Sequence, residues 1–276
     1  MRLPVPSLTV LVVALIAGCS ERSPAPAVVR VVSLHDVTTE LVVALGAADR
    51  LVGVEAPVDV PPAVATALAR IPRVGDLESV LAARPTVVVG LQIVAAKDPV
   101  LVARLREAGI DVWLGEPATL DDVYGLTRAV GGRIGAAAEA DRLARTLALR
   151  AVASAPRARR PRVFVFDCCD PPFTAGGQTV MSDLIARAGG DNVFADVAAA
   201  WTHVSWEQVV ARRPELIVID AYAYAGQGDV ADTQRAVQAI PGLAAVPTLT
   251  MPLGDALGGI RSLDGLARLR AALGAM

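Results

Sequence analysis

The sequence predicts an α/β protein of two similar lobes with parallel sheets, joined by one long α-helix. The first observation behind this is a repeat: residues 77–90 (LESVLAARPTVVVG) and 206–219 (WEQVVARRPELIVI) overlay at a constant offset of 129 with six of fourteen positions identical. The shared positions include Glu78 with Glu207, Arg84 with Arg213 and Pro85 with Pro214. Each copy reads as a short helix opened by a capping residue, Asp76 or Ser205, with a carboxylate in its first turn, an Arg-Pro stop and a strand of Val, Ile and Leu. Secondly, short apolar runs alternate with helical patterns in both halves, the mark of parallel sheets with crossover helices. Thirdly, residues 134–154 run about 20 positions without Pro and without Gly after Gly135, about 30 Å of helix, enough to bridge two lobes.

Taken in order, the N-terminal lobe is assigned to residues 28–118. It opens with a strand at 28–34 (VVRVVSL), then His35-Asp36, a helix from Thr39 to Leu45 stopped by Gly46, and a strand at 51–55 (LVGVE). The repeated helix, a strand at 86–90, a helix at 99–108 and a strand at 111–114 follow. The connector is assigned to residues 119–158, with a helix at 119–130 broken at Gly131-Gly132 before the bridging helix. The C-terminal lobe, residues 159–276, repeats the order with strands at 162–167 (RVFVFD), 192–195, 215–220 and 248–251. Its helices are expected at 181–188, 206 onward, 233–239 and 261–275.

The chain's start reads as a targeting segment: Met1-Arg2, an apolar run over 8–17 and Ile16-Ala17-Gly18-Cys19 make residues 1–18 a lipoprotein signal peptide. At about ten residues the run is too short to span a bilayer. Cys19 is then the acylated first residue, residues 19–27 are a tether, and the protein is exported and lipid-anchored at a membrane face. A net charge of -2 argues against nucleic acid, which needs clustered cations, and the one basic cluster, RARRPR at 157–162, reads as a solvated link. Lys97 is the only lysine and lies in Ala-Lys-Asp-Pro, so a phosphate-binding loop of the Gly-Lys-Ser/Thr type is absent. The chain itself does not hydrolyse ATP.

Two loops follow equivalent strands, His35-Asp36 in the first half and Asp167-Cys168-Cys169-Asp170 in the second. Ligand crevices in open parallel sheets lie at the carboxyl ends of strands, so both loops are expected to face a shared cleft. Capping and turn formation are the competing explanations for His35, Asp36 and Asp170. Neighbouring cysteines are too close for a relaxed bridge, so Cys168 and Cys169 are expected as thiols, either touching the ligand or packing as small apolar groups. Among the scarce aromatics, 4% of the chain, Trp206 heads the repeated helix and reads as core, whereas Trp201 lies in an Ala-rich loop and is the candidate for stacking on a flat ligand. Phe173, His203 and Tyr222 complete the expected ligand set.

From Val31 onward the chain resembles the periplasmic binding proteins for iron chelates and vitamin B12, in which a single helix joins two α/β lobes. The segments that carry this are VVSLHDVTTELVVALGAADRLVGVE, DVPP, GDLESVLAARPTVVVG, DPPFTAGG, AGGDNVFADV and WTHVSWEQVVARRPELIVI. DPPFTAGG and WTHVSWE look most like the vitamin B12 branch, which implies that Trp201 and the Pro171-Pro172-Phe173 loop lie against a corrinoid. Aromatic residues expected near Ala56 and Pro72 are missing, and His35, Cys168, Cys169 and His203 are additions. The resemblance implies no enzymatic activity and no resident cofactor. It implies a monomeric receptor that hands a cobalamin-like corrinoid, haem or ferric siderophore to a permease dimer with separate ATPase subunits, with Glu78 and Glu207 forming salt bridges to permease arginines. Two other classes stand beside it: an exported thiol or metal-dependent enzyme using Cys168 and Cys169, and a direct binder of bare metal ions through His35, Cys168, Cys169, His203 and a carboxylate.

Overall fold

Short apolar runs flanked by turn residues become the central strands of two sheets in the computed structural model, which describes residues 28–56, 59–152, 159–221 and 229–276. The expected signal peptide, the anchor Cys19, the tether and Tyr222 lie outside the described residues. In the N-terminal half, β1 (Val31–Ser33), β2 (Leu51–Val54), β3 (Val87–Leu91) and β4 (Asp111–Gly115) form an all-parallel sheet ordered β2-β1-β3-β4. Helices α1 (Asp36–Ala44), α2 (Pro62–Ala67), α3 (Leu77–Ala82), α4 (Gln92–Lys97) and α5 (Pro99–Glu107) connect them.

After the paired helices α6 (Leu120–Arg133) and α7 (Ala137–Arg150), the second half repeats the plan. Strands β5 (Arg162–Phe166), β6 (Phe173–Ala175), β7 (Asp191–Asn192), β8 (Trp201–His203), β9 (Leu216–Ala221) and β10 (Thr248–Pro252) alternate with α8 (Val180–Ala188), α9 (Trp206–Ala211), α10 (Val230–Gln238), α11 (Leu253–Ala256) and α12 (Ser262–Gly274). The second sheet is parallel and ordered β10-β9-β5-β7, which is the first order with β5 in place of β1 and β9 in place of β3. Val and Ile dominate the central strands β3 and β9, which are buried on both faces apart from the last residue of β9, as covered parallel sheets require.

The repeat seen in sequence holds down to single hydrogen bonds. Helices α3 and α9 both open with a capping box, Asp76 with Ser79 and Ser205 with Gln208. Both end before an arginine in the left-handed region, Arg84 at φ 49° and Arg213 at φ 48°. That backbone turns its carbonyl towards the start of the lobe's first strand, where Arg30 Nε donates to Arg84 O at 2.8 Å and Arg162 Nε donates to Arg213 O at 2.7 Å. One small sheet has no counterpart among the described residues: β6 and β8 pair antiparallel, with Phe173 opposite His203 and Ala175 opposite Trp201.

The lobes are joined by helix, with bounds that differ from the sequence expectation. Instead of one stretch of about 30 Å from residue 134, α7 spans 14 residues, about 21 Å, and packs against α6. Both helices cross from lobe to lobe: α6 buries Leu120, Val123 and Tyr124 in the core of the second lobe and Leu126, Val130 and Ile134 in that of the first, while α7 contributes Ala140 to the first and Ala144 and Leu147 to the second. The break expected at Gly131-Gly132 does not occur, because Gly131 serves the helix crossing. A Cβ there would lie 2.2 Å from Ala140 Cβ and 3.0 Å from Ala136 O. The chain turns instead at Gly135, φ 74°.

Adding that methyl is therefore overpacking of a tight joint. Gly131→Ala is expected to cost about 1–3 kcal/mol, read as a melting temperature several degrees lower, and an unchanged midpoint would show that α6 and α7 have room to move apart.

Candidate ligand cleft

Strand ends from both sheets meet in one cleft. Two adjoining cavities of about 360 and 340 Å³ share His35, Ile93, Trp201 and Leu257. The first half supplies residues beyond β1 and β3, His35, Asp36, Ile93 and Lys97; the second supplies Asp167 after β5, Phe173 and Trp201 from the β6–β8 pair, and Leu253 and Leu257 after β10. This is the crevice at the carboxyl ends of strands that parallel topology provides.

The Trp201 wall is held by glycine. Gly176 N donates to Ala200 O at 2.8 Å, Gly177 N to Val197 O at 2.9 Å and Gln178 N to Ala199 O at 3.1 Å, folding the Ala-rich loop down onto the glycine pair. Any side chain would obstruct that approach, since a Cβ on Gly176 would fall 2.3 Å from Ala199 O and one on Gly177 2.3 Å from Ala195 O. The loop delivers Trp201 onto Phe173, ring centroids 5.9 Å apart and planes 23° apart. On the outer side of Phe173 lies His203, 4.8 Å away, whose Nδ1 donates to Pro171 O at 3.1 Å. His203 is exposed and lines neither cavity of the cleft. It buttresses the aromatic wall rather than facing the ligand space.

His35 does two things at once. It is the N-cap of α1, with Nδ1 accepting from Val37 N–H at 3.2 Å, and its ring borders both cavities. A nitrogen that accepts a hydrogen bond carries no proton, so the neutral ring bears its proton on Nε2. His35 thus offers the cleft an N–H donor and not a lone pair for a metal. Burial is the largest influence on its pKa, which is lowered to about 4; Asp36 opposes the shift and Lys97 adds to it. Asp36 accepts from Asp59 N at 2.9 Å, which fastens the rim beside it.

The two cysteines differ from expectation. Cys168 and Cys169 are bonded to each other as a disulfide, with Cys169 at φ 78°, so neither offers a free thiol. They border a separate cavity inside the second lobe together with Asp167 and Trp206. Trp206 is part of the apolar packing, stacked on Phe166 at 5.7 Å, and its Nε1 donates to Asp170 Oδ1 at 3.1 Å. With both sulfurs in one disulfide, neither cysteine offers the thiol that a thiol-dependent enzyme would use. A bare-metal site loses its sulfur ligands and the His35 lone pair, and no group of three or more His, Cys, Asp or Glu among the described residues could hold a metal ion. Sequence reasoning missed Lys97, Ile93, Leu253 and Leu257 as cleft residues. The only signal for Lys97 was its being the sole lysine, and the three aliphatic residues carry none.

The signature of the periplasmic binding proteins matches residues 31–250. This chain belongs to that family. Its members are exported substrate-binding proteins and not enzymes, and the two-lobed parallel α/β architecture is theirs. Among curated relatives, the vitamin B12-binding protein of Yersinia pestis (strain Pestoides F) is 30% identical over 221 residues, covering 71% of each chain. A periplasmic binding protein from Veillonella parvula superposes with a TM-score of 0.77 at 21% identity, over 90% of this chain and 91% of its own. The periplasmic heme-binding protein RhuT from Roseiflexus sp. RS-1, in apo form, gives 0.73 at 26% identity, over 89% and 99%.

The His35 environment fixes the sign of a pH effect. Because its pKa in the fold lies below the ordinary 6.5, the associated stability is fully present above pH 6.5 and is lost as pH falls through 4. Glu40, whose burial raises its pKa to about 7 against the pull of Arg261, works the other way, stability falling as pH rises from 4.5 to 7. The His35 part is isolated by comparing the parent with His35→Asn, which keeps a capping oxygen. Between pH 7 and pH 4 the parent is expected to lose on the order of 3 kcal/mol more than the variant; parallel denaturation curves across that range would contradict it.

Proposed function

We propose that this chain is the solute receptor of an ABC importer, holding a metal chelate between its lobes: a cobalamin-like corrinoid, with haem or a ferric siderophore as the alternative. The observation that carries this is the cleft itself, in which a Trp201–Phe173 stack and the aliphatic Leu257 from the second lobe border the same space as the imidazole of His35 and the side chain of Ile93 from the first. Such walls suit a broad ring face, and the Nε2–H of His35 with the ammonium of Lys97 suits acceptor groups on the ring's edge, amides or carboxylates. The names of the curated relatives support the corrinoid, and that of RhuT supports haem as the second choice. Asp36 and Asp167 border the same space and would accept from donors on the rim.

In this proposal Cys19 carries a lipid anchor, Tyr222 adds to the ligand set, and the protein delivers its cargo as a monomer to a permease dimer served by separate ATPase subunits. Glu78 and Glu207 are exposed in the first turns of α3 and α9, the equivalent helices of the two lobes, which supports paired docking points. Hydrogen bonding from Ser205 lowers the pKa of Glu207. Its charge is therefore present wherever the partner's arginines are.

Ligand capture is tested by titrating cyanocobalamin, haem and a ferric siderophore while following tryptophan fluorescence. One of them is expected to saturate at one molecule per chain, and Trp201→Ala, followed by calorimetry, to bind it tenfold or more weakly, about 1.4 kcal/mol. No saturation by any would remove the chelate reading.

Delivery is tested in cells. Glu78→Arg with Glu207→Arg is expected to abolish uptake and complex formation while leaving the isolated protein's ligand affinity unchanged, since charges at an interface rim act on association with the partner. Cys19→Ser is expected to move the protein from the membrane to the soluble fraction. Normal uptake by the double variant would return both glutamates to helix capping, and membrane retention of the serine variant would exclude the anchor.

A further inference from the structure

The cavity of about 300 Å³ inside the second lobe is a site that chelate capture does not explain. It lies beyond the ends of β5 and β9 and against α10, with Phe166 and Trp206 on one side and Asp167, Asp220 and Thr233 around it. Asp220 closes the apolar run LIVID of β9 and is only 4% exposed. Neither of its carboxylate oxygens has a hydrogen-bond partner among the described residues. An ionised carboxylate without partners costs several kcal/mol to bury, so burial, and then the charge of Asp167, raises the Asp220 pKa well above the carboxylate range. Folding alone gains nothing from this group, because a neutral side chain in its place would spare the penalty.

A cation entering the cavity supplies what Asp220 lacks. Two carboxyl groups within electrostatic reach, a hydroxyl and the faces of a stacked Phe166–Trp206 pair are the elements of cation recognition. A bare metal ion fits poorly: no three His, Cys, Asp or Glu among the described residues could hold one, and the adjacent sulfurs are bonded to each other. A cation with an apolar body fits both kinds of wall. We propose that this cavity is a binding site for a protonated amine, with Asp220 as its buried counter-ion, Asp167 as the second carboxylate and the Phe166–Trp206 pair against its carbon skeleton. Asp167 also borders the interlobe cleft, so the ammonium group belongs either to a free small amine or to an arm of the ligand bound there. The amine site stands independently of which chelate, if any, the cleft takes.

Calorimetric titration of the parent with benzylammonium and with benzyl alcohol, its neutral counterpart, tests the free amine. Titration with ferrioxamine B, whose pendant primary ammonium is free, and with its N-acetylated form tests the arm. Saturable binding of benzylammonium, with the alcohol at least tenfold weaker, identifies the free amine. At least tenfold preference for ferrioxamine B over its N-acetyl form identifies the arm. In either case Asp220→Asn is expected to abolish the preference, with a melting temperature no lower than the parent's. The proposal is overturned if the parent distinguishes neither pair, or if Asp220→Asn retains the preference. The comparison within the parent decides the matter even where a variant fails to fold.

Discussion

The guanidinium of Arg261, only 16% exposed, ties the two lobes together beside the cleft and sets where its walls stand. Arg261 precedes α12 in the second lobe, yet its partners lie mostly in the first: Glu40 on α1 at 2.9 Å and the Asp59 carboxylate at 3.2 Å, with a further bond to the Asp59 carbonyl. Asp59 in turn donates its N–H to Asp36 and accepts from Gly254 N at 2.8 Å. One chain of contacts therefore runs from the His35-Asp36 rim through Asp59 and Arg261 to α11, whose first residue, Leu253, is on the opposite wall. A Cβ on Gly254 would lie 1.6 Å from Arg261 Nη2, so any side chain there would displace the guanidinium from its present place. Removing one member of such a buried cluster strands the others' charges, which is why it holds geometry more firmly than it adds net stability.

With the lobes fixed there and along α6 and α7, the duplicated halves explain the rest of the cleft. The same strand order in both sheets brings the carboxyl ends of β1 and β5 to equivalent places, and the same arginine-to-carbonyl bond, Arg30 to Arg84 and Arg162 to Arg213, orients the edge of each sheet. Where the halves diverge, the ligand space is made asymmetric. Among the described residues the antiparallel β6–β8 pair occurs in the second half only, and it carries Trp201 and Phe173. One wall is aromatic and the other presents donors from His35 and Lys97, a division that a pure repeat would not produce.

Much of this was readable from the residues because the signals were local. The repeat at offset 129 exposes α3, β3, α9 and β9, the position of His35 after the first strand points it to the cleft, and the Ala-rich loop around Trp201 singles that residue out as a ligand-stacking candidate. The hidden features depend on contacts distant in sequence. Gly131-Gly132 reads as a helix stop, and only the neighbouring Ala140 reveals it as a crossing point. The β6–β8 pair escapes sequence reading because Ala175 and Trp201 are 26 positions apart, with α8, β7 and the Ala-rich loop between them. Adjacent cysteines argue against a bridge on distance alone, whereas the left-handed backbone at Cys169 accompanies one. Asp220 falls at the end of the strand expected at 215–220, and its isolation is visible only when its surroundings are.

The tautomer of His35 determines what kind of recognition this cleft can perform. A histidine beside a ligand space suggests metal coordination, but capping α1 through Nδ1 leaves Nε2 protonated, and burial keeps the ring neutral across the physiological range. Coordination would require giving up the cap or the Nε2 proton, each at a cost. As a fixed donor, the same ring can discriminate between molecules by the acceptors on their edges without exchanging a ligand at their metal. Release is then a matter of parting aromatic faces and a few hydrogen bonds, with no coordinate bond to break. A receptor whose cargo must be passed on intact gains from that arrangement, since affinity is spread over several individually weak contacts.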